Sequence, residues 1–192
     1  MKRQVLVLAR ALAFVVRRRI DVPPDGAAIH YSRGIRPMFW ALLVVNPVDI
    51  VLVEVVVKSV PVRISVLVLE ILCALAFLAL VATLYKYPHS VGKGELRVRY
   101  LSVFDCRIPL ASIDSVRQAS RSLRTRGGVS LPEDGVLAVG ISQSTNLSVV
   151  LRAPRLVDLG RKGTVEITQL DFWADEPREA VTAIRERLPA SV

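Results

Sequence analysis

An α+β fold joined to a membrane-embedded helical hairpin is what this sequence predicts, and three observations predict it. Pro37 to Val57 and Ile64 to Tyr85 are apolar stretches of about 21 residues each, and a helix rising 1.5 Å per residue needs roughly 20 to cross a bilayer's hydrocarbon. After Tyr85 the chain breaks into short alternating apolar runs separated by Gly-rich turns, which is the period of strands. It then closes with one amphipathic helix, and strands followed by such a helix make an α+β unit in which the helix covers an open end or face of a small sheet or barrel.

The organisation expected from this is a basic leader over residues 1–36, a two-helix transmembrane hairpin over 37–85 and a soluble domain over 86–192. Charge follows the same division. Residues 1–36 hold eight Lys or Arg against Asp21 and Asp25, residues 37–85 are net −1, and residues 86–192 hold sixteen bases against twelve acids. The overall excess of +9 is therefore concentrated beside a membrane span, where anionic headgroups attract it. No aromatic-basic surface motif of the kind that single-strand or RNA binders use is present, so nucleic acid is not the expected partner.

Within the leader, Val5 to Val16 is apolar for about 12 residues and contains Arg10, too short to span. Arg3, Arg10 and Arg17 recur every seven residues, which drifts by only about 20° per repeat on a helix and makes one narrow basic stripe. That stripe, with Arg18 and Arg19 completing an RRR cluster at its end, suits a helix lying in the interface with its arginines among phosphates. A third packed or partly inserted helix and a secretory signal are the competing readings. Arg10 inside the apolar run and the missing small-x-small site argue against the signal. Asp21 to Gly26, with Pro23 and Pro24, reads as a turn or linker.

Orientation follows from the bases near the spans. Arg17, Arg18, Arg19, Arg33 and Arg36 precede the first, Lys86, Lys93, Arg97 and Arg99 follow the second, and only Lys58 and Arg63 lie between. Both termini are expected in the cytoplasm, with a turn at Ser59 to Pro61 outside. Four polar residues fall inside the spans: Asn46, Asp49, Glu54 and Glu70. An ionisable group there costs about 2.5 to 3.5 kcal/mol on insertion scales and is a functional candidate for that reason. Asp49 and Glu70 fall at similar depths and are expected to face each other, either as a proton or cation site or as a polar helix contact; Glu54 reaches the outer interface, and Asn46-Pro47 is a kink.

Beyond the hairpin, strands are expected at Glu95 to Tyr100, up to Leu110, at Val136 to Ser142, Leu147 to Arg152 and Thr164 to Phe172. The last helix opens at Asp175 or Glu176 with Pro177 in its first turn, and Ala180, Val181, Ile184 and Leu188 form its apolar stripe. Arg117 to Arg126, RQASRSLRTR, reads as a basic loop; Arg117, Arg121, Arg124 and Arg126 are its candidates for binding anionic headgroups. Cys73 and Cys106 lack metal or redox spacing, and His30 and His89 lack ligand neighbours, so no metal or other cofactor is expected. No G-x-S-x-G, H-E-x-x-H or phosphate-loop pattern occurs, and a non-catalytic role is the expectation.

The run GELRVRYLSVFDCRIPLASIDSVR, further strands, and the helix opened by DEPREAVTAIRERL, all after a short hairpin, together resemble bacterial membrane-anchored pleckstrin-homology-like (PH-like) domain proteins, an uncharacterised actinobacterial membrane-protein family. The matching positions are Leu96 to Arg99, Ile108 to Leu110, Ile113, Val116 and Asp175 to Pro177. The resemblance implies a PH-like cytoplasmic domain on a bacterial inner membrane with a binding or scaffolding role. Its expected partners are membrane lipids with anionic headgroups, a protein whose identity the sequence does not carry, and further copies of the chain, since intramembrane acids need partners. The rival is a small transporter or channel subunit working through Asp49 and Glu70.

Overall fold

The computed structural model describes residues 20–101, 103–123, 128–159 and 163–189. The interfacial-helix stripe, and with it Arg3, Arg10, Arg17, Arg18 and Arg19, lies outside the described residues, as do Arg124 and Arg126. The chain forms two compact units: a helical one containing residues 35–83, and a β unit assembled from residues 20–34 and 84–192.

The helical unit holds α1 (Arg36–Val56) and α2 (Val60–Lys86), of 21 and 27 residues. At 1.5 Å per residue these are about 32 and 40 Å long, enough for the roughly 30 Å of bilayer hydrocarbon. Most of their Val, Leu and Ile side chains are exposed, and both helices are long and apolar enough to cross a membrane. Helix α2 starts four residues earlier than the hydropathy pattern indicated, because Pro61 sits in the first turn, where a missing N–H costs nothing. The connector is thus Val57 to Ser59, and Arg63 belongs to the helix. Glu70 lies ten residues into α2, about 15 Å along it, deeper than the apolar boundary at Ile64 suggested.

The two helices meet along a heptad seam. Phe39, Asn46, Ile50 and Val53 on α1, Val57 just beyond it, and Arg63, Val66, Glu70, Ala74, Phe77 and Val81 on α2 are half-buried, and up to Leu78 the other described positions of both helices are exposed. These steps of three and four keep one stripe against one partner. Phe39 stacks on Phe77 at 6.2 Å. Counting seven residues from that pair toward the connector on each helix brings Asn46 level with Glu70, and seven more bring Val53 level with Arg63.

In the β unit, β1 (Ala27–Ile29), β2 (His89–Gly92), β3 (Glu95–Tyr100) and β4 (Phe104–Pro109) form an antiparallel sheet in that order. A second sheet has the order β5-β8-β9-β7-β6, with β5 (Ile113–Ser122), β6 (Val129–Glu133), β7 (Val136–Val139), β8 (Ser144–Asp158) and β9 (Thr164–Phe172). All its pairs are antiparallel except β7 with β9. The inward faces of both sheets and of α3 (Pro177–Arg185) share one core, in which Leu96, Val98, Ile108, Leu147, Phe172 and Ile184 are fully buried.

Three details depart from the sequence reading. The expected leader does not end in the turn at Asp21 to Gly26 but continues into a strand: β1 pairs with β2 from Ala27↔Val91 to Ile29↔His89, so strands adjacent in the sheet flank the whole helical pair in sequence. Arg117 to Ser122 is not loop but the end of β5, paired to β8, since the packing of Ile113 and Val116 against the core overrides a locally polar sequence. Neither Asp175 nor Glu176 caps α3 with its side chain. Asp175 instead accepts the Arg33 backbone N–H at 2.9 and 3.0 Å, fastening the segment that leads into α1.

Gly92 marks how closely β1 approaches β2. A Cβ there would lie 2.7 Å from the Gly26 Cα, backbone against backbone. Gly92→Ala is therefore expected to destabilise the β unit by about 1–3 kcal/mol, the usual cost of overpacking. Denaturant unfolding of the full chain followed by Trp173 fluorescence in a Trp40→Phe background checks this, with Ser90→Ala as the comparison.

Candidate functional site

The chemistry-bearing side chains fall into three groups. The first lies at the β1–β2–β3 junction and centres on Arg99, whose side chain is 2% exposed. One guanidinium nitrogen donates to the Asp21 carbonyl at 2.9 Å, another lies 3.0 Å from the Asp21 carboxylate, and Nε is 3.9 Å from Asp105. The Tyr87 ring faces the same guanidinium at 5.7 Å. Burial, and then the charge of Arg97, hold the Arg99 pKa below the usual guanidinium value. On the next exposed row Arg97 grips Asp105 with Nε at 2.8 and 3.0 Å and with a further short contact from Nη2. Burial pushes the Asp105 carboxyl up, but the hydrogen bonds and charge of Arg97 outweigh it and leave the group below its ordinary value.

His89 lies beneath this layer with no exposed surface. Its Nδ1 accepts the Arg99 backbone N–H at 3.0 Å, which assigns the ring proton to Nε2, 3.1 Å from the Trp173 carbonyl. Tyr31 stacks on the ring at 4.4 Å and Phe172 meets it edge-on at 5.2 Å. The Tyr31 hydroxyl accepts the Leu101 N–H at 3.1 Å. Burial drives the imidazole pKa down to about 3 and the Tyr31 phenol up to about 12. Every polar atom of the imidazole is thus committed to backbone. The group fastens residues 20–34 to strands β2 and β3, and it offers no free base beside a nucleophile.

The second group is the basic end of β5. One transverse row of the second sheet holds Arg117, Ser148 and Asp171. Asp171 is buried, receives the Gln169 amide at 2.8 Å and lies 3.5 Å from Arg121. Arg121 is therefore directed across the sheet to its own carboxylate, while Arg117 remains exposed. Cys106, buried on β4, has its thiol pushed to about 12 by burial, and Cys73 is exposed on α2.

The third group is in the helical unit. Glu54, Arg63 and Glu70 line a cavity of about 260 Å³ together with Ile50, Val53 and Leu67. Asp49 does not line it and is exposed on α1. Five residues separate Asp49 from Glu54, or about 140° around a helix, so the two point to different faces, and of these two exposed acids only Glu54 lines the cavity. The carboxylate sharing the cavity with Glu70 is Glu54, and Arg63 is a cation the hydropathy reading had left in the connector. Asn46 lines a second, more apolar cavity of about 390 Å³ with Phe39, Pro47 and Phe77.

Sequence reasoning missed the Arg99 cluster because Asp21 sits in a stretch of turn residues. A signal existed in the hairpin itself: the β3–β4 register puts Asp105 directly opposite Arg99 and diagonal to Arg97. No family model, curated protein or solved structure matches the chain.

A buried neutral histidine makes stability depend on pH. The folded pKa of about 3 is below the unfolded value near 6.5, so the unfolded chain takes up the proton first as pH falls. His89's contribution is complete above about pH 6.5 and is lost progressively between there and pH 3, at about 1.4 kcal/mol per unit of pH. His89→Asn keeps an acceptor for the Arg99 N–H without a titratable ring. Its stability deficit against the parent, from denaturant unfolding at pH 7, 6, 5 and 4, is expected to shrink steadily as the pH is lowered.

Proposed function

We propose that this chain is a non-catalytic integral protein of the cytoplasmic membrane, in which α1 and α2 anchor a PH-like β unit that presents a binding surface at the cytoplasmic face. The observation that carries this reading is the insertion of the helical pair between two paired strands. The chain leaves the β unit at residue 34 and re-enters it at residue 84, and β1 is bonded to β2. Two single crossings joined in this way must open on the same side of the bilayer. The Lys and Arg excess flanking their open ends, against Lys58 and Arg63 at the connector, makes that side the cytoplasm.

The PH-like assignment rests on a four-strand meander, a second sheet sharing its core, and a closing C-terminal helix. The β6–β7 hairpin, which extends the second sheet beyond β9 through a parallel pair, is an addition to that plan. The Arg99 and His89 clusters are spent on holding the unit together, which favours a binding or scaffolding role over catalysis. Binding would fall to exposed groups such as Arg117, each worth roughly 1 kcal/mol of attraction to an anionic leaflet when it reaches the surface. A short tether raises the effective concentration of any protein or lipid partner at that surface. The competing reading is a transporter or channel subunit, and the Glu54, Arg63 and Glu70 cavity is the observation in its favour.

Topology is tested by cysteine labelling in a Cys73→Ser background. In intact cells a membrane-impermeant maleimide is expected to label Ser59→Cys, and to label Lys93→Cys or Glu166→Cys only after permeabilisation. Labelling of Lys93→Cys in intact cells would overturn the assignment. The functional reading is tested by replacing Asp49, Glu54 and Glu70 together with Asn, Gln and Gln. A scaffold retains its co-purifying partners and shows no loss of ion flux in vesicles, whereas a transport subunit loses flux.

A further inference from the structure

The cavity in the helical unit has a charge pattern that selects its ligand. Glu54 lies two residues before the end of α1 and Arg63 three residues after the start of α2, so both are within one turn of the connector, while Glu70 sits deeper. All three line the same space, of about 260 Å³, far more than the roughly 10–15 Å³ that one water needs. Among the described residues none of the three forms an ion pair within 4 Å. Charges of both signs thus face a common cavity in apolar surroundings without neutralising one another, an arrangement that is costly until something completes it.

A bare cation meets Arg63 there, and a simple anion meets two carboxylates. A ligand carrying both a phosphate and a primary ammonium satisfies each in turn. The guanidinium donates to phosphate oxygens and the ammonium to the carboxylates that share the cavity, Glu54 near the level of Arg63 and Glu70 about two turns deeper. Ile50, Val53 and Leu67 line the remaining wall, which suits the first methylenes of an acyl chain. We infer that this cavity binds the headgroup of an aminophospholipid of the phosphatidylethanolamine class, held by Arg63 and by the carboxylates of Glu54 and Glu70. The inference rests on reading α1 and α2 as membrane spans, and the cysteine labelling above tests that reading separately. If labelling upholds the spans and the lipid result fails, only the cavity assignment falls.

The full chain in detergent is titrated with phosphatidylethanolamine, its N-methyl and choline analogues, and phosphatidylglycerol, and bound lipid is counted by intact-mass spectrometry. Phosphatidylethanolamine is expected to bind at least tenfold more tightly than the choline and glycerol lipids, with the N-methyl form between them. This series uses the unaltered protein and so does not depend on any variant folding. The double variant Glu54→Gln/Glu70→Gln is expected to erase the preference for the primary amine, and Arg63→Gln to weaken all phospholipids alike. Equal binding of all headgroups, or a preference that survives the double variant, would overturn the assignment. Free phosphoethanolamine separates the sources: failure to displace the lipid at millimolar concentration supports a lipid site, and ready displacement overturns it in favour of a soluble ligand. A dimer that binds no lipid overturns it in favour of a second copy.

Discussion

The pairing of β1 with β2 is the constraint on which the rest of the structure depends. Three residues of β1 and four of β2 are joined in sequence only through the whole helical pair. Closing a loop of about 60 residues costs only slightly more entropy than closing a short one, since the cost grows with the logarithm of length. The helices reduce it further by bringing their own ends together. The short ladder is then reinforced where it is weakest: Arg99 takes the Asp21 carbonyl and carboxylate, His89 accepts from strand β3, and Asp175 holds the Arg33 N–H. An edge strand of three residues would be marginal alone. Here it is tied down by contacts to backbone that run from the buried His89 and Arg99 to the more exposed Asp175, and each holds either residues 20–34 against the rest of the unit or strands β2 and β3 together.

In the helical unit the organising feature is the seam. Its heptad spacing leaves Val, Leu and Ile facing outward on all other sides, as expected of helices whose solvent is itself apolar. Pro47 removes one backbone donor within α1, and the freed carbonyl lies one turn earlier. The polar positions divide according to the same geometry. Asn46 and Glu70 are on the seam, Glu54 reaches the cavity from its edge, and Asp49 is on the outer surface. An acid on the outer surface of a spanning helix is better served by another copy of the chain than by lipid.

Much of this architecture was legible in the sequence, and what was not has identifiable causes. β3 and β9 fall where alternation placed them, because each sets alternate apolar side chains, Leu96 and Val98 on β3 and Leu170 and Phe172 on β9, into the core. α3 is legible for the equivalent reason at helical period. β8 runs past Arg152 to Asp158 because a register shift between Val150 and Arg155 accommodates Pro154, where a proline ordinarily ends a strand. β5 was illegible because its outer positions are arginine and serine, so its strand character comes from β8. β1 was illegible because Ala-Ala-Ile among turn residues carries no period at all. At the candidate sites, residue types were readable and partners were not: Glu70 was evident as an acid inside an apolar run, but its companions depend on where α2 begins, which Pro61 moves by a turn.

The same proline sets the electrostatics of the pair. With α2 beginning at Val60, Arg63 is carried out of the connector and onto the seam, two helical turns above Glu70 on the same stripe. In the shorter helix suggested by hydropathy alone, Arg63 would be free in water, and Glu70 would be an acid with no cation in reach. In the longer one the guanidinium shares a cavity with two carboxylates and is separated from them by open space. Direct pairing inside the apolar layer would repay little of the desolvation both charges incur. A cavity that keeps them apart is the arrangement expected if their counter-charges arrive with a bound molecule, and a single proline at the second position of α2 makes it accessible to this sequence.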